Sequence, residues 1–391
     1  MQNTPRSLRT HIGLFGKVNS GKSTLLNALT GQDVAVVSPQ KGTTTDPVYK
    51  PMELHGLGPV VFIDTAGFED TSELGQKRLE KTKEATKKTD IAIIVLTDTD
   101  IKKELDWIHT FNTNHTQYIV VINDMGITDI ETITEALKEE QIIPLVVNAK
   151  EKQGVEKVKE KLIKLAPKDP EKTITGNLVN KQDIVLLVMP QDIQAPKGRL
   201  ILPQVQTIRE LLDKKCIVMG CTTENIDASI AALKEPPKLI ICDSQVFKIV
   251  YQKKPKKSKL TSFSMLFAGF KGDIDTFIAG AKAIEGLRPD AHVLIAEACT
   301  HAPLEEDIGR IKIPRLLHQK VSDKLDITVV SGTDFPADLS SYDLIIHCGS
   351  CMFNRSYVLS RIKEAKKQGI PITNYGVTIA YLQGILDFVS Y

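Results

Sequence analysis

The stretch Ile12-Gly13-Leu14-Phe15-Gly16-Lys17-Val18-Asn19-Ser20-Gly21-Lys22-Ser23 decides the architecture of the first third of this chain. Its opening residues read as a buried strand, and the run from Thr24 to Leu29 that follows reads as a helix. Between them stands the pattern G-x-x-x-x-G-K-S, a phosphate-binding loop when it joins a strand to a helix. Gly16 and Gly21 let the backbone curl so that its N–H groups face a phosphate, and Asn19, Ser20 and Thr24 line the curl. Lys22 is placed to reach the β and γ oxygens, and the Ser23 hydroxyl to ligate Mg²⁺.

Further along, Val60-Val61-Phe62-Ile63 reads as a second buried strand ending in Asp64-Thr65-Ala66-Gly67. Asp64 is placed to hold the magnesium shell, and the Gly67 N–H to sense the γ-phosphate. The intervening loop Gly42-Thr43-Thr44-Thr45-Asp46-Pro47 offers threonine hydroxyls as a further magnesium ligand once a triphosphate is bound. Together the three pieces describe a nucleotide switch. Across residues 8 to 168 the chain resembles GTPases of the TrmE–Era type. The resemblance implies GTP and GDP as ligands and makes Thr44 the switch threonine, acting in hydrolysis with Lys22, Asp64 and Gly67. It also implies that Asn19 helps to hold a potassium ion (K⁺) bridging the phosphates. That family reads guanine with Asn-Lys-x-Asp, whereas here Ile119-Val120-Val121-Ile122 leads into Asn123-Asp124-Met125-Gly126, so only Asn123 is kept. Asp124 and Asp129 are the carboxylates at hand to substitute. A later element, Asn148-Ala149-Lys150, stands close to the family's Ser-Ala-Lys.

A chain of 391 residues should hold two or three domains, at roughly 150 residues each. Hydrophobic residues make up 42% and charged residues 25%, which suits a globular chain with a sizeable core. Fifty basic residues against 48 acidic give a net charge of +2, so no global field favours nucleic acid or a membrane. No apolar run approaches the ~18 residues that mark a membrane span, and the N-terminus lacks a secretory core. The expectation is a cytoplasmic protein. Cys216, Cys221 and Cys242 lie in or beside apolar runs and read as small buried hydrophobes.

Ala166-Pro167-Lys168-Asp169-Pro170 has the proline and charge of a linker and sets the first boundary. Beyond it, Asp183 to Met189, Cys216 to Met219 and Lys238 to Cys242 read as strands, alternating with helices at Leu202 to Leu212 and Ala228 to Leu233. That alternation predicts a small parallel-sheet layer. It holds no catalytic grouping, and homodimer assembly is its expected role. The basic run from Lys253 to Lys259 lacks interleaved aromatics and reads as a solvated loop.

In the last third, Val293-Leu294-Ile295-Ala296 and Leu344-Ile345-Ile346 read as buried strands. They run into Cys299-Thr300-His301 and His347-Cys348-Gly349-Ser350-Cys351. Both groups leave at carboxyl ends, where open α/β sheets place ligands. Gly349 and Ser350 keep backbone N–H groups close to sulfur. Cys299, His301, Cys348 and Cys351 would fill a tetrahedral zinc site, in keeping with an RNA- or ribosome-associated GTPase of the Era kind. Three thiolates with another atom in the fourth position suit an iron–sulfur cubane. Spacing alone admits both.

The pairing of a phosphate-loop GTPase with Cys-x-His and His-Cys-x-x-Cys resembles the HydF family, the maturation GTPases of [FeFe]-hydrogenase, over the whole chain. The resemblance implies that Cys299, Cys348 and Cys351 ligate a [4Fe–4S] cluster and leave one iron for an exchangeable ligand. Glu306 is the first candidate for that ligand, with His301 and His347 beside it. A diiron subcluster precursor as cargo, two radical-SAM maturases and apo-[FeFe]-hydrogenase as partners, and a homodimer follow from the same resemblance. The expected architecture is α/β: a P-loop GTPase domain at 1–168 followed by two smaller parallel-sheet α/β domains. These are a dimerisation domain at 169–262 and a cluster-binding domain at 263–391.

Overall fold

Strands buried on both faces must be apolar at every position, and unbroken apolar runs form the centre of each sheet in this chain. The computed structural model describes residues 4–31, 47–65, 73–166, 172–191, 198, 200–298, 307–350 and 352–391. Two units are distinguished, residues 1–168 and 169–391.

The first unit runs β1 (Thr10–Gly16), α1 (Lys22–Thr30), β2 (Val48–Leu54), β3 (Gly58–Asp64), α2 (Glu73–Lys88), β4 (Ile91–Leu96), α3 (Lys102–Asn114), β5 (Gln117–Asn123), α4 (Ile130–Glu139), β6 (Leu145–Val147) and α5 (Val155–Leu165). Its sheet has the order β2-β3-β1-β4-β5-β6. All neighbours are parallel except β2, an antiparallel edge strand on β3. Successive side chains alternate between two cores, as the pleat requires. Ile91, Ile93 and Val95 meet Ile12, Leu14 and the α1 leucines Leu25, Leu26 and Leu29. Ala92, Ile94 and Leu96 meet Trp107, Ile108 and Phe111 of α3.

The second unit holds two four-stranded sheets. One is built from β7 (Ile184–Val188), α6 (Leu202–Asp213), β8 (Ile217–Cys221), α7 (Ile226–Ala231), β9 (Leu239–Cys242), α8 (Phe247–Lys253) and β10 (Lys259–Ser262), followed by α9 (Phe263–Lys271). The other follows with α10 (Ile274–Lys282), β11 (His292–Ala296), α11 (Ile313–Lys320), β12 (Asp326–Val330), β13 (Leu344–His347), α12 (Arg355–Lys367), β14 (Ile372–Asn374) and α13 (Tyr375–Leu382). The orders are β10-β9-β7-β8 and β12-β11-β13-β14, parallel throughout. The fold class is therefore the expected one, a P-loop α/β domain followed by parallel-sheet α/β layers.

Leu186 and Val188 of β7 share one core with Leu294 of β11 and Ile345 of β13, bridged by Met265 and Ala268 of α9. The next face over, Phe263, Leu266 and Phe267 of α9, covers Val185, Leu187, Leu239 and Ile241. A helix apolar all round is a buried helix, and α9 is wedged into both cores. Cys216 and Cys242 are buried and Cys221 half-buried. Burial pushes all three thiols up, so they stay neutral and act as small hydrophobes.

Short polar side chains start several helices. Ser262, Asp273, Asn354 and Asn374 accept the N–H of Met265, Thr276, Tyr357 and Val377, each such cap contributing about 1 kcal/mol. Among the described residues no helix is long and apolar enough to cross a membrane.

Helix α10 lies so close to β14 that a Cβ added to Gly280 would collide with the Ile372 carbonyl oxygen, a backbone atom that cannot swing away. Gly280→Ala should destabilise the second unit by about 1–3 kcal/mol. A calorimetric scan that leaves its melting temperature unchanged would show that the helix can lift off the strand.

Candidate functional site

The phosphate loop takes the conformation its motif requires. Gly21 has a left-handed φ of +84°, and a Cβ there would run into Asn123 Nδ2. Asn19 is also left-handed, at φ +62°, which asparagine tolerates better than most residues. Lys22 is buried, and its Nζ donates to the carbonyls of Gly16 at 3.0 Å and Lys17 at 2.6 Å. Ser23 Oγ donates to Asp64 Oδ2 at 2.9 Å. The hydroxyl at the start of α1 and the carboxylate at the end of β3 thus meet, two oxygens of the kind a hard divalent cation accepts as ligands. Ser20 is buried and Thr24 lies in the first turn of α1. Thr44 and Gly67 lie outside the described residues.

Asn123 ties three loops together. Its Nδ2 donates to the Ser20 carbonyl at 3.1 Å, and its Oδ1 accepts the Ala149 N–H at 3.1 Å. Asn148 Oδ1 accepts the Glu151 N–H at 2.9 Å, which rounds the next turn and leaves Lys150 exposed. The carboxylates that could replace the missing aspartate have local work. Asp124 Oδ1 accepts the Gly126 N–H at 2.8 Å. Asp129 caps α4 with both oxygens, taking the Thr132 N–H at 3.1 Å and hydroxyl at 2.8 Å. Asp129 is therefore engaged in starting a helix, and Asp124 keeps one oxygen clear of its turn.

In the second unit, β11 and β13 are adjacent and parallel, with Ala296 opposite His347. The chain leaving each strand is held to its neighbour, because the Cys348 N–H donates to the Ala296 carbonyl at 2.9 Å. Two backbone donors point at the Cys348 sulfur, Ala298 N–H at 3.0 Å and Ser350 N–H at 3.4 Å. Such donors favour an anionic sulfur. The turn is made by Ser350, at φ +54°, rather than by Gly349. Lys271, at the end of α9, grips the loop from the other side, its Nζ donating to the carbonyls of Ser350 at 2.9 Å and Phe353 at 2.7 Å. Cys299, His301, Glu306 and Cys351 lie outside the described residues. Among the described ones no three metal-binding side chains gather.

His347 is buried, with both ring nitrogens engaged. Arg361 Nη1 lies 2.9 Å from its Nε2, while Nδ1 is 2.9 Å from the Cys348 carbonyl and 2.9 Å from Ser350 Oγ. Arginine only donates, so Nε2 accepts and the neutral ring carries its proton on Nδ1. Burial, helped by the Arg361 charge, lowers its pKa to about 3. At the same edge Glu297 accepts from Arg310 at 3.1 Å, Ser331 at 3.1 Å and the Tyr375 hydroxyl at 3.3 Å. Burial, with the charges of Cys348, Glu297 and Asp307 near it, pushes the Tyr375 hydroxyl up, so it stays a donor.

Residues 174–272 match the Hydrogen maturase F dimerization domain and residues 275–389 the Hydrogen maturase F tetramerization domain, together more than half of the chain. The chain belongs to the HydF family. Residues 11–124 match the family described as 50S ribosome-binding GTPase. This HydF chain accordingly carries a GTPase domain. It is similar to the tRNA modification GTPase MnmE of Dichelobacter nodosus, 33% identical over 168 residues, which are 41% of this chain and 35% of that protein. It is likewise similar to GTPase Der of Wolinella succinogenes, 34% identical over 180 residues, 42% of this chain and 37% of the relative. The match thus spans about a third of the length of these curated relatives. Among solved structures, Era of Aquifex aeolicus bound to GDP.AlF4- aligns at 18% identity and a TM-score of 0.35, over 54% of this chain and 92% of the Era chain. The two HydF domain descriptions assign self-association to both C-terminal stretches, whereas the sequence reading gives it to the middle stretch alone.

Sequence reasoning on this HydF chain overlooks Lys271, Arg361 and Glu104, each a charged residue on the apolar side of a helix. Glu104 is 2% exposed beside Trp107 and Ile108, and its Oε2 has no hydrogen-bond partner among the described residues. Near it, Lys17 of the phosphate loop donates to Asp98 Oδ1 at 2.8 Å and to the Asp100 carbonyl at 2.5 Å. Burial pushes the Glu104 carboxyl up to about 7. The folded state therefore holds this proton more tightly than the unfolded chain does. The resulting stabilisation is complete below the ordinary glutamate range and is lost as pH rises through about 7. Glu104→Gln should flatten the pH dependence of the first unit between the ordinary glutamate range and neutrality, and raise its stability above neutral pH. Denaturant melts followed by the fluorescence of Trp107, the sole tryptophan, check this. A pH slope equal to that of the wild type would refute it.

Proposed function

We propose that this chain is a GTP-hydrolysing scaffold that binds a [4Fe–4S] cluster, carries a diiron subcluster precursor and delivers it to apo-[FeFe]-hydrogenase. The observation that carries the reading is the Cys348 turn, where strand pairing sets the chain beyond Ala296 beside the chain beyond His347 and two backbone N–H groups address one sulfur. That environment fits a thiolate ligand. In the sequence Cys299 follows Ala298 and Cys351 follows Ser350, the two residues whose N–H groups address that sulfur. Cys299, Cys348 and Cys351 are assigned as cluster ligands, with Glu306 or His301 for the remaining iron. His347, with both nitrogens engaged, supports the turn instead. When bound, the cluster supplies an iron whose ligand can be exchanged for cargo.

Residues 1–168 are assigned to GTP hydrolysis, 169–262 to dimerisation and 263–391 to the cluster. Lys22 answers the phosphate charge, and Ser23 and Asp64 serve the magnesium ion. Thr44 and Gly67 sense the γ-phosphate, and their release on hydrolysis biases exchange of partners, two radical-SAM maturases and the hydrogenase, in the cytoplasm.

Anaerobic reconstitution of wild type, Lys22→Ala and Cys348→Ser with iron and sulfide tests the scheme, read by iron content, electron paramagnetic resonance and GTP turnover. Lys22→Ala should lose GTP hydrolysis on the order of a hundredfold or more and keep the cluster. Cys348→Ser should do the reverse. A colourless wild-type protein holding stoichiometric zinc would overturn the cluster assignment, and loss of both properties in either variant would overturn the separation of roles.

Asn19 is further assigned to a potassium site at the phosphates. GTP turnover should be severalfold faster in potassium than in sodium buffer, and equal rates would remove that assignment.

A further inference from the structure

Arg361 lies on the face of α12 that also carries Tyr357, Val358, Ile362 and Ala365, and it is 3% exposed. Its guanidinium sits among three rings, 4.7 Å from the centroid of Tyr357, 4.8 Å from Phe335 and 4.9 Å from Phe353. Nη2 donates to the Gly332 carbonyl at 2.6 Å and the Tyr357 hydroxyl at 3.2 Å, and Nη1 to His347 Nε2 at 2.9 Å. Its hydrogen-bond acceptors among the described residues are all neutral, and its Nε has none. A buried cation is costly unless negative charge answers it. The aromatic faces answer part of that demand. The cysteine turn lies one imidazole away.

The connection is continuous. Arg361 makes Nε2 of His347 an acceptor, so Nδ1 holds the ring proton beside the Cys348 carbonyl and Ser350 Oγ. The same Ser350 contributes one of the two N–H groups aimed at the Cys348 sulfur. On the cluster reading above, we propose that Arg361 is the positioning residue of the cysteine turn: it locks the turn through His347, and its buried positive charge raises the reduction potential of a cluster held there. Lys271 holds the Ser350 and Phe353 carbonyls, so a second cationic side chain is bonded to the same loop. A positive charge close to an iron–sulfur centre favours its more negative, reduced state.

The test is an anaerobic redox titration followed by electron paramagnetic resonance on reconstituted wild type, Arg361→Met and Arg361→Lys. All three should bind iron and sulfide in the same ratio. At the potential that half-reduces the wild-type cluster, the ratio of reduced to oxidised cluster in Arg361→Met should fall by about tenfold, and Arg361→Lys should recover most of the loss. An Arg361→Met cluster that titrates with the wild type makes the residue a packing element only and overturns the inference. Wild-type protein that takes up no iron overturns the cluster reading itself, which is seen before any variant is compared. Should Arg361→Met fail to fold, nitrogen-15 histidine NMR of the wild-type apoprotein decides. His347, assigned through His347→Gln, should carry its proton on Nδ1, and an Nε2-protonated ring overturns the lock.

Discussion

A parallel ladder turns the carboxyl ends of its strands toward one edge, and the motifs of both units stand on such edges. The phosphate loop leaves β1, Asp64 closes β3, Asn123 closes β5 and Asn148 follows β6. In the last sheet Glu297 follows β11, Cys348 follows β13 and Tyr375 follows β14. The register is equally binding. With Ala296 opposite His347, the Cys348 N–H meets the Ala296 carbonyl, and the sulfur falls within reach of the Ala298 N–H. A slip of one residue would turn His347 away from Arg361 and Cys348 toward the opposite face.

Much of this was legible because strands buried on both faces announce themselves as apolar runs. The strand ending at Ala296 and the helix beginning at Leu202 lie where the sequence places them. The strand at Ile91–Leu96 is as apolar as any, yet it carries no motif and was not anticipated. Edge strand β2 is mostly exposed or half-buried and contains Pro51, so neither its apolar content nor its propensity marks it.

The sites were legible where a motif fixes both residue type and spacing, as with Lys22, Ser23 and Asp64. They were not where a side chain serves its own backbone. Asp129 looks available in the sequence, and only the fold shows it capping α4. The charged residues inside helices are the other blind spot, although the signal is present. Tyr357, Val358, Arg361, Ile362 and Ala365 follow the helical period, with one cation placed where the pattern demands an apolar residue. Glu104 interrupts the α3 face of Trp107, Ile108 and Phe111 in the same way. The turn at Ser350 escaped because glycine is the residue expected at positive φ, and its neighbour is one.

Helix α9 belongs to two cores at once, and its last residue holds the cysteine turn. A chain cut before Phe263 would leave Val185, Leu187 and Ile241 without their cover, and a chain cut after it would leave the Ser350 and Phe353 carbonyls without their ammonium partner. The two C-terminal sheets therefore share one structural element, and the thiol loop owes part of its shape to a helix that also covers the neighbouring sheet.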